Sequence, residues 1–229
     1  MIRITLVIML ECISIQNSCA QLLGFYRNYS DVHDVHLFSA HEGLDNGFLT
    51  AGSSVSSIGG NYLIIKTDSN GIEQWRRIGN LFNQLDSDNV ANGIIQCEDK
   101  SIVSCGTISQ FLGGAGSDYQ NFLVKLDSSG NRIWEKSFGN DTVFETLWDI
   151  CSLANNQFLC AGVSFTTQSN LTITKFDSSG VAIWNDVFSV APYFANKSYI
   201  SHCLNSDLLI ITALSSNGSV ITRIDSSGN

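Results

Sequence analysis

The sequence has few basic residues and lacks the common catalytic motifs. Only 12 of its 229 residues are Lys or Arg, against 21 Asp or Glu, and the formal net charge is −9. This balance excludes the clustered basic surface that nucleic-acid binding requires. The sequence also contains no G-x-S-x-G, no H-E-x-x-H and no P-loop, so it indicates no catalytic residue and no cofactor site.

Metal-binding cysteine pairs, long apolar runs and helical patterns are missing as well. No C-x-x-C occurs among the seven cysteines, so we expect no zinc site and no other metal centre. Beyond the first 20 residues no stretch reaches the length of a membrane helix, so we expect no membrane span. No segment combines helical periodicity with a helix cap. These absences together favour an all-β chain.

Residues 1–20 have the pattern of a secretory signal peptide. Arg3 supplies the positive start, Ile4 to Leu10 form the apolar run, and Ser18-Cys19-Ala20 is a small-residue cleavage site. The mature domain is then residues 21–229. We therefore expect a secreted protein, either free outside the cell or at its surface.

The mature domain keeps five cysteines, and the odd number leaves at least one unpaired. They are Cys97, Cys105, Cys151, Cys160 and Cys203. A two-residue turn at Asn155-Asn156 would put Cys151 directly opposite Cys160 on the neighbouring strand. We expect these two thiols to be close together, whether they are bridged or not.

One pattern occurs four times along the chain. Its copies start at Leu63, Leu123, Ile173 and Ile221, and their first aspartates are spaced by 59, 50 and 48 residues. Periods of this size are typical of propellers and related repeat arrays. The repeated residues are Asp68, Gly71, Trp75, Asp127, Gly130, Trp134, Asp177, Gly180, Trp184, Asp225 and Gly228.

Each copy predicts a strand, a tight turn and a second strand. The turn sequence is D-S-[SN]-G, in which the Asp can accept backbone N–H bonds and the Gly tolerates a positive φ. A Lys or Arg precedes each Asp by two residues, and a Trp leads the second strand in three copies. Because every unit repeats these residues, we interpret them as structural rather than catalytic.

We predict a β-propeller of four four-stranded blades. The units span about residues 25–74, 75–133, 134–183 and 184–229. The last unit stops before its Trp-led strand, whereas Phe25 to Tyr29 resembles such a strand with nothing before it. We therefore expect Phe25–Tyr29 to pair with Val220–Asp225 and close the last blade, which removes an exposed edge.

The pattern K-x-D-x-x-G-x-x-x-W-x-x-x-F-G, with F-L-x-x-G upstream, resembles the β-propeller repeats of secreted bacterial proteins of the Bacteroidetes type. The resemblance covers Phe25 to Asn229 and implies the architecture without an activity. Two functional propeller families depart from it. Quinoprotein repeats have a turn one residue longer, and the Asp-box of sialidases has a shorter spacing, so neither activity is carried over.

Three sets of acidic or histidine residues could bind a metal ion or act in hydrolysis, and each is weighed against a structural explanation. Asp31, His33, Asp34, His36 and His41 form the densest group of possible metal ligands, but a solvated surface strand explains them better. Leu85 to Asn89 offers oxygens for calcium without the Gly and terminal Glu of an EF-hand loop. Glu145 and Asp149 could be a hydrolase pair only if folding set them about 5 to 10 Å apart.

The sequence favours a non-enzymatic binding scaffold for a protein or a glycan. Two alternatives stay open: a propeller enzyme of the hydrolase or lyase type with a central pocket, and a structural surface module from a larger protein. A structural module should have no concave cluster of exposed aromatic or acidic side chains, so the structure can distinguish it.

Overall fold

The computed structural model describes most of the chain after the predicted signal peptide. The described residues are 25–31, 33–56, 59–81, 87–111, 117–139, 143–165, 167, 169–189, 195–202, 207–214 and 218–225. The predicted signal peptide therefore lies outside them, as do Leu85, Asp86, Cys203 and Gly228.

In the described ranges fifteen strands, paired antiparallel within each sheet, form four consecutive sheets, so the all-β expectation is confirmed. Sheet 1 consists of β1 (Asp34–Glu42), β2 (Phe48–Ser56), β3 (Gly59–Thr67) and β4 (Glu73–Gly79); sheet 2 of β5 (Ser87–Gln96), β6 (Ile102–Phe111), β7 (Ser117–Leu126) and β8 (Arg132–Phe138). Sheet 3 consists of β9 (Phe144–Ser152), β10 (Phe158–Phe165), β11 (Ser169–Phe176) and β12 (Ala182–Ser189); sheet 4 of β13 (Ala195–His202), β14 (Leu208–Leu214) and β15 (Gly218–Ile224). A single parallel bridge between Gly60 and Asp88 joins sheets 1 and 2.

The core lies between successive sheets, where the inner strands bury apolar side chains in three clusters. Buried side chains such as Tyr62 and Phe122 fill the interface of sheets 1 and 2. Phe158 and Cys105 belong to the cluster between sheets 2 and 3, and Ile210 to the one between sheets 3 and 4. None of these three clusters joins sheet 4 to sheet 1, so the described sheets follow one another without closing into a ring.

The D-S-[SN]-G turns have the predicted chemistry. Asp68 Oδ1 accepts the N–H groups of Asn70 and Ile72 at 2.8 Å each, and Asp127 and Asp177 make the equivalent pairs of bonds in their own turns. The last residue of each turn is in the left-handed region, at φ +72° for Gly71, +82° for Gly130 and +75° for Gly180. These turns connect the third and fourth strands of sheets 1, 2 and 3.

Each of these three turn glycines also contacts an aromatic ring from an earlier segment of the chain. A Cβ on Gly130 would lie 2.8 Å from Trp75, and a Cβ on Gly180 would lie 2.8 Å from Trp134. On Gly71 the ring is that of Phe25, at 2.1 Å. Phe25 therefore occupies on sheet 1 the place that a tryptophan occupies on the next two sheets.

The predicted closing strand is wrong. Residues 25–31 form no strand, and among the described strands β15 pairs with β14 alone. The N-terminal segment is instead attached to sheet 1, where the hydroxyl of Tyr29 donates to Gly71 O at 2.8 Å and Arg76 donates to Ser30 O at 3.2 Å. Without a packed interface between sheets 4 and 1, nothing brings this segment beside β15.

The expected contact between Cys151 and Cys160 is also wrong. The hairpin turns over Leu153 to Gln157 instead of over two residues, so Cys151 pairs with Leu159 and Cys160 with Ile150. A shift of one residue sends the two side chains to opposite faces of the sheet. Cys160 contacts the thiol of Cys105 in the interface of sheets 2 and 3.

The four described cysteines should be nearly unreactive in the folded protein. Cys97, Cys105, Cys151 and Cys160 are free and buried, and burial raises the pKa of Cys151 to about 12. Since the thiolate is the reactive form, iodoacetamide at pH 8 should modify these sites only after unfolding in urea. Site-resolved mass spectrometry measures this, with the urea-unfolded sample as the control. Rapid labelling of Cys151 in the folded protein would contradict the described packing.

Candidate functional site

Each of the first three sheets has a β-bulge at the same place in its first strand. The unpaired residue is Phe38 in β1, Asn92 in β5 and Trp148 in β9, since the register of each strand skips it. In β13 the register shifts at a neighbouring position, between Ala195 and Lys197. Bulges re-aim side chains next to binding sites, and these four first strands contact one another in order, β1 with β5, β5 with β9 and β9 with β13.

A glycine on the second strand makes room for each of the first three bulges. It is the Gly of the upstream F-L-x-x-G pattern or its equivalent. A Cβ on Gly52 would lie 1.8 Å from His36 O, one on Gly106 would lie 2.0 Å from Val90 O, and one on Gly162 would lie 2.3 Å from Thr146 O. Each of these carbonyls precedes the bulged residue by two positions. The repeated glycine therefore permits the close backbone approach that the bulge requires.

The bulged side chains converge in a central cavity of about 340 Å³, which we call the aromatic pocket. All four sheets contribute to it. Its lining residues are Phe38, Val90, Asn92, Thr107, Tyr119, Phe144, Thr146, Trp148, Lys197 and Tyr199. Five of these ten are aromatic, and the rings of Phe38 and Tyr199 are 52% and 54% exposed. The pocket therefore presents accessible aromatic surface in a concave setting.

Contacts within the aromatic pocket hold its walls in position. The rings of Tyr119 and Phe144 lie 4.4 Å apart between centroids, at an angle of 48°. Lys197 Nζ lies 5.3 Å from the ring centroid of Trp148, a distance at which a cation is attracted to an aromatic face.

Asn92, Thr107 and Thr146 form a polar floor whose hydrogen bonds are made within the protein, whereas the buried indole Nε1 of Trp148 has no hydrogen-bond partner among the described residues. Asn92 Nδ2 donates to Leu147 O at 2.8 Å and to the Thr107 hydroxyl at 3.3 Å, and the hydroxyls of Thr107 and Thr146 bond to each other. Satisfied polar groups in a buried position rigidify a site. A ligand in this pocket would thus meet a preformed surface.

Sequence reasoning did not single out any residue of this pocket as functional. A signal was present in the glycines at 52, 106 and 162, because an isolated glycine inside a strand indicates a bulge. The position of each bulge fixes which side chain of the first strand reaches the centre.

The two carboxylates that the sequence suggested as a hydrolase pair lie in different surroundings. Glu145 lines a groove of about 420 Å³ between sheets 2 and 3. Asp149 bonds to the backbone: Ile200 N–H donates to its Oδ2 at 2.8 Å and Ile150 N–H to its Oδ1 at 2.9 Å. Burial raises the pKa of Asp149. This carboxyl therefore connects sheet 3 to sheet 4, and neither residue is part of the aromatic pocket lining.

The histidine and aspartate group at the start of the domain forms no metal site. Within the described ranges no group of three His, Cys, Asp or Glu side chains is placed to hold a metal ion. The ring of His36 stacks on Phe38 at 6.4 Å. His41 faces a polar cavity of about 690 Å³, lined also by Glu98 and His202, and burial lowers the pKa of its imidazole. Of the suggested calcium residues, Asp88 accepts Gly60 N–H at 2.6 Å.

Three of the four repeated cations pair with an acid that lies in or beside the connection between the first two strands of their own sheet. Lys66 Nζ lies 2.6 Å from Asp45 Oδ1, in the β1–β2 connection, and Lys125 Nζ lies 3.4 Å from Asp99 Oδ2, in the β5–β6 turn. In sheet 4, Arg223 pairs with Asp207, which precedes β14. The ionic partner of each of these three cations is thus not the Asp two residues after it, and Asp68 and Asp127 accept N–H groups of their own turns instead.

The Lys66–Asp45 pair should make stability depend on pH. The hydrogen bond from Lys66 is the largest cause that lowers the pKa of Asp45. A carboxylate with a lowered folded pKa stabilises fully above its unfolded value of 3.8, and that contribution is lost as the pH falls through the folded value. We expect Asp45→Asn to lower the urea midpoint at pH 7 and the difference from the parent protein to shrink below about pH 3.8.

The asparagine amide oxygen can still accept the N–H of Gly47, which Asp45 Oδ1 accepts at 3.1 Å. The substitution therefore tests the charge more than the loop. A difference between the two proteins that stays constant from pH 7 to pH 2 would rule out the ion pair as its cause.

No known protein family matches the sequence, and no curated protein is detectably similar to it. Similarity to solved structures is found at the level of the fold. A protein of unknown function from Dyadobacter fermentans matches with a TM-score of 0.61 and 9% identity, over 83% of this chain and 60% of that one. The NanB sialidase from Streptococcus pneumoniae matches with a TM-score of 0.54 and 12% identity, over 89% of this chain and 32% of that one.

An endo-arabinase from Bacteroides thetaiotaomicron matches with a TM-score of 0.51 and 10% identity, over 81% of this chain and 72% of that one. The chain thus spans less than two thirds of the length of the first two proteins. The sialidase and the arabinase have folds of the propeller type. With its four successive sheets, this chain has a propeller-like all-β fold. In the described part of the chain no helix is long and apolar enough to span a membrane.

Proposed function

We propose that the protein is a glycan-binding scaffold, exported to the cell surface or beyond, and that the aromatic pocket is its binding site. One observation carries the proposal: the inner strands of four sheets bring five aromatic side chains to one cavity of about 340 Å³. The C–H face of a pyranose ring is apolar and packs against aromatic faces, while its hydroxyls stay hydrated or bond to polar groups at the rim.

The exposure of the rings supports binding over a purely structural role. Phe38, Phe144 and Tyr199 are each more than a third exposed inside a concavity. Folding alone gives no reason to keep large apolar groups in contact with water there, and clustered exposed apolar surface marks interaction sites. In this proposal each sheet is one blade, and the repeated Asp, Gly and Trp residues stabilise the blades without touching the ligand.

A propeller hydrolase is the competing proposal, and Asp149 is the observation that favours it. Its carboxyl is partly buried and has a raised pKa, and Asp149 directly follows Trp148 in β9. A raised pKa suits a general acid. However, both carboxylate oxygens already accept backbone N–H groups, and glycoside hydrolysis commonly needs a second carboxylate facing the first across the substrate. Binding therefore remains the better proposal.

A glycan array probed with the mature chain tests the binding proposal. We expect at least one class of oligosaccharide to bind with a Kd between about 1 µM and 1 mM, a free energy of about −8 to −4 kcal/mol. Soluble oligosaccharide of the same class should compete. Failure of every arrayed glycan to bind would overturn the proposal.

Incubation of any bound glycan with the protein separates the two proposals. A scaffold releases no new reducing ends over hours, whereas a hydrolase does. If reducing ends appear and Asp149→Asn abolishes them while the protein stays folded, the enzyme proposal replaces the scaffold.

A further inference from the structure

We propose that the aromatic pocket selects saccharides that carry a carboxylate, with Lys197 as the ionic partner of that group. The inference rests on the proposed function and names the ligand class of the same site. It begins from the charge of the lining: of the ten residues around the cavity, Lys197 is the one with a formal charge. A neutral sugar can accept a hydrogen bond from that ammonium group, but only an anionic one also gains the charge contact.

Lys197 differs from three other cations of the described sheets, which form ion pairs within the protein. Lys66, Lys125 and Arg223 pair with Asp45, Asp99 and Asp207. Lys197 has no such carboxylate partner among the described residues, and its ammonium group lies over the face of Trp148. Its ammonium group is consequently available for an anion beside an aromatic surface.

The placement suits a sugar acid better than a free anion. Lys197 lies next to the register shift of β13, and Trp148 is the bulged residue of β9. A sugar ring stacked on an aromatic wall could direct a ring carboxylate toward the ammonium group. A small inorganic anion would obtain the charge contact without the stacking, so it should bind much more weakly.

The overall charge of the protein works against this preference. With a net charge of −9, the long-range field repels acidic saccharides, so non-specific attraction cannot produce tighter binding of the acid. A preference for the acidic form would therefore point to a local cation. Because the ammonium group is exposed to water, the expected effect is moderate.

The test compares oligogalacturonate with the same oligomer as its neutral methyl ester, by isothermal titration calorimetry. We expect the acid to bind about five-fold more tightly at low salt and the ratio to fall as salt is raised. Lys197→Met keeps most of the aliphatic stem and should bring the ratio to about one. Lys136→Met is the matched control, since Lys136 lies 5.6 Å from Trp134 outside the aromatic pocket, and it should leave the ratio unchanged.

Three results would overturn the inference, and they are distinguishable. Equal binding of acid and ester means that the pocket does not select charge, although the glycan-binding proposal stands. A preference that survives in Lys197→Met assigns the selection to another group. Binding of neither oligomer, together with an array on which no glycan binds, removes the proposed function itself.

Discussion

Gly162→Ala should destabilise the protein by about 3 kcal/mol or more, because the added methyl group has no room to move into. Its Cβ would lie 2.3 Å from Thr146 O and 3.1 Å from Thr146 C, which are backbone atoms of the neighbouring strand. Relief requires the first strand of sheet 3 to move away at the bulge that holds Trp148. Urea unfolding followed by far-UV circular dichroism measures the loss.

Gly218→Ala is the matched control for that substitution. A Cβ on Gly218 would lie 3.6 Å from Leu214, an ordinary contact, and this glycine has no positive φ. We expect little change in its urea midpoint. Equal losses in the two variants would mean that the glycine opposite the bulge has no special role.

Trp148→Ala should weaken glycan binding by about ten- to thirty-fold while the protein stays folded, as for the loss of a central aromatic anchor. The indole is partly buried at the bulge of β9 and forms a wall of the aromatic pocket. Trp148→Phe keeps an aromatic face and should lose less. Titration calorimetry with the glycan identified on the array measures both variants.

Tyr26→Ala serves as the control for an exposed aromatic residue outside the pocket, since Tyr26 is 62% exposed and does not line it. Its affinity should equal that of the parent protein. An unchanged affinity in Trp148→Ala would place the glycan elsewhere on the surface.

Local features of the fold could be predicted from the sequence. The turn of Asp127 to Gly130 depends on bonds over four residues and on one positive φ, and both follow directly from residue type. The strand, turn and strand of each repeat copy likewise predict the all-β architecture.

Features that depend on register or on the arrangement of sheets could not be predicted. The hairpin after β9 turns over five residues instead of two. The register therefore shifts by one residue, and Cys151 pairs with Leu159 instead of Cys160. The partner of Lys66 is Asp45, 21 residues earlier in the chain and in a different connection. Closure of the ring depends on how much each sheet rotates relative to the next, and a repeat pattern does not encode that angle in single residues.

The aromatic pocket combines both cases. Its glycines are visible in the sequence, whereas the choice of Phe38 and Trp148 as the central residues follows from the exact register of each hairpin.

The most informative single measurement is a two-dimensional NMR titration of the indole N–H signals of the four tryptophans, assigned by Trp→Phe variants. If the aromatic pocket binds the glycan, the Trp148 signal shifts and saturates while those of Trp75, Trp134 and Trp184 stay in place. A saturable shift of the other signals with Trp148 unchanged would contradict the account.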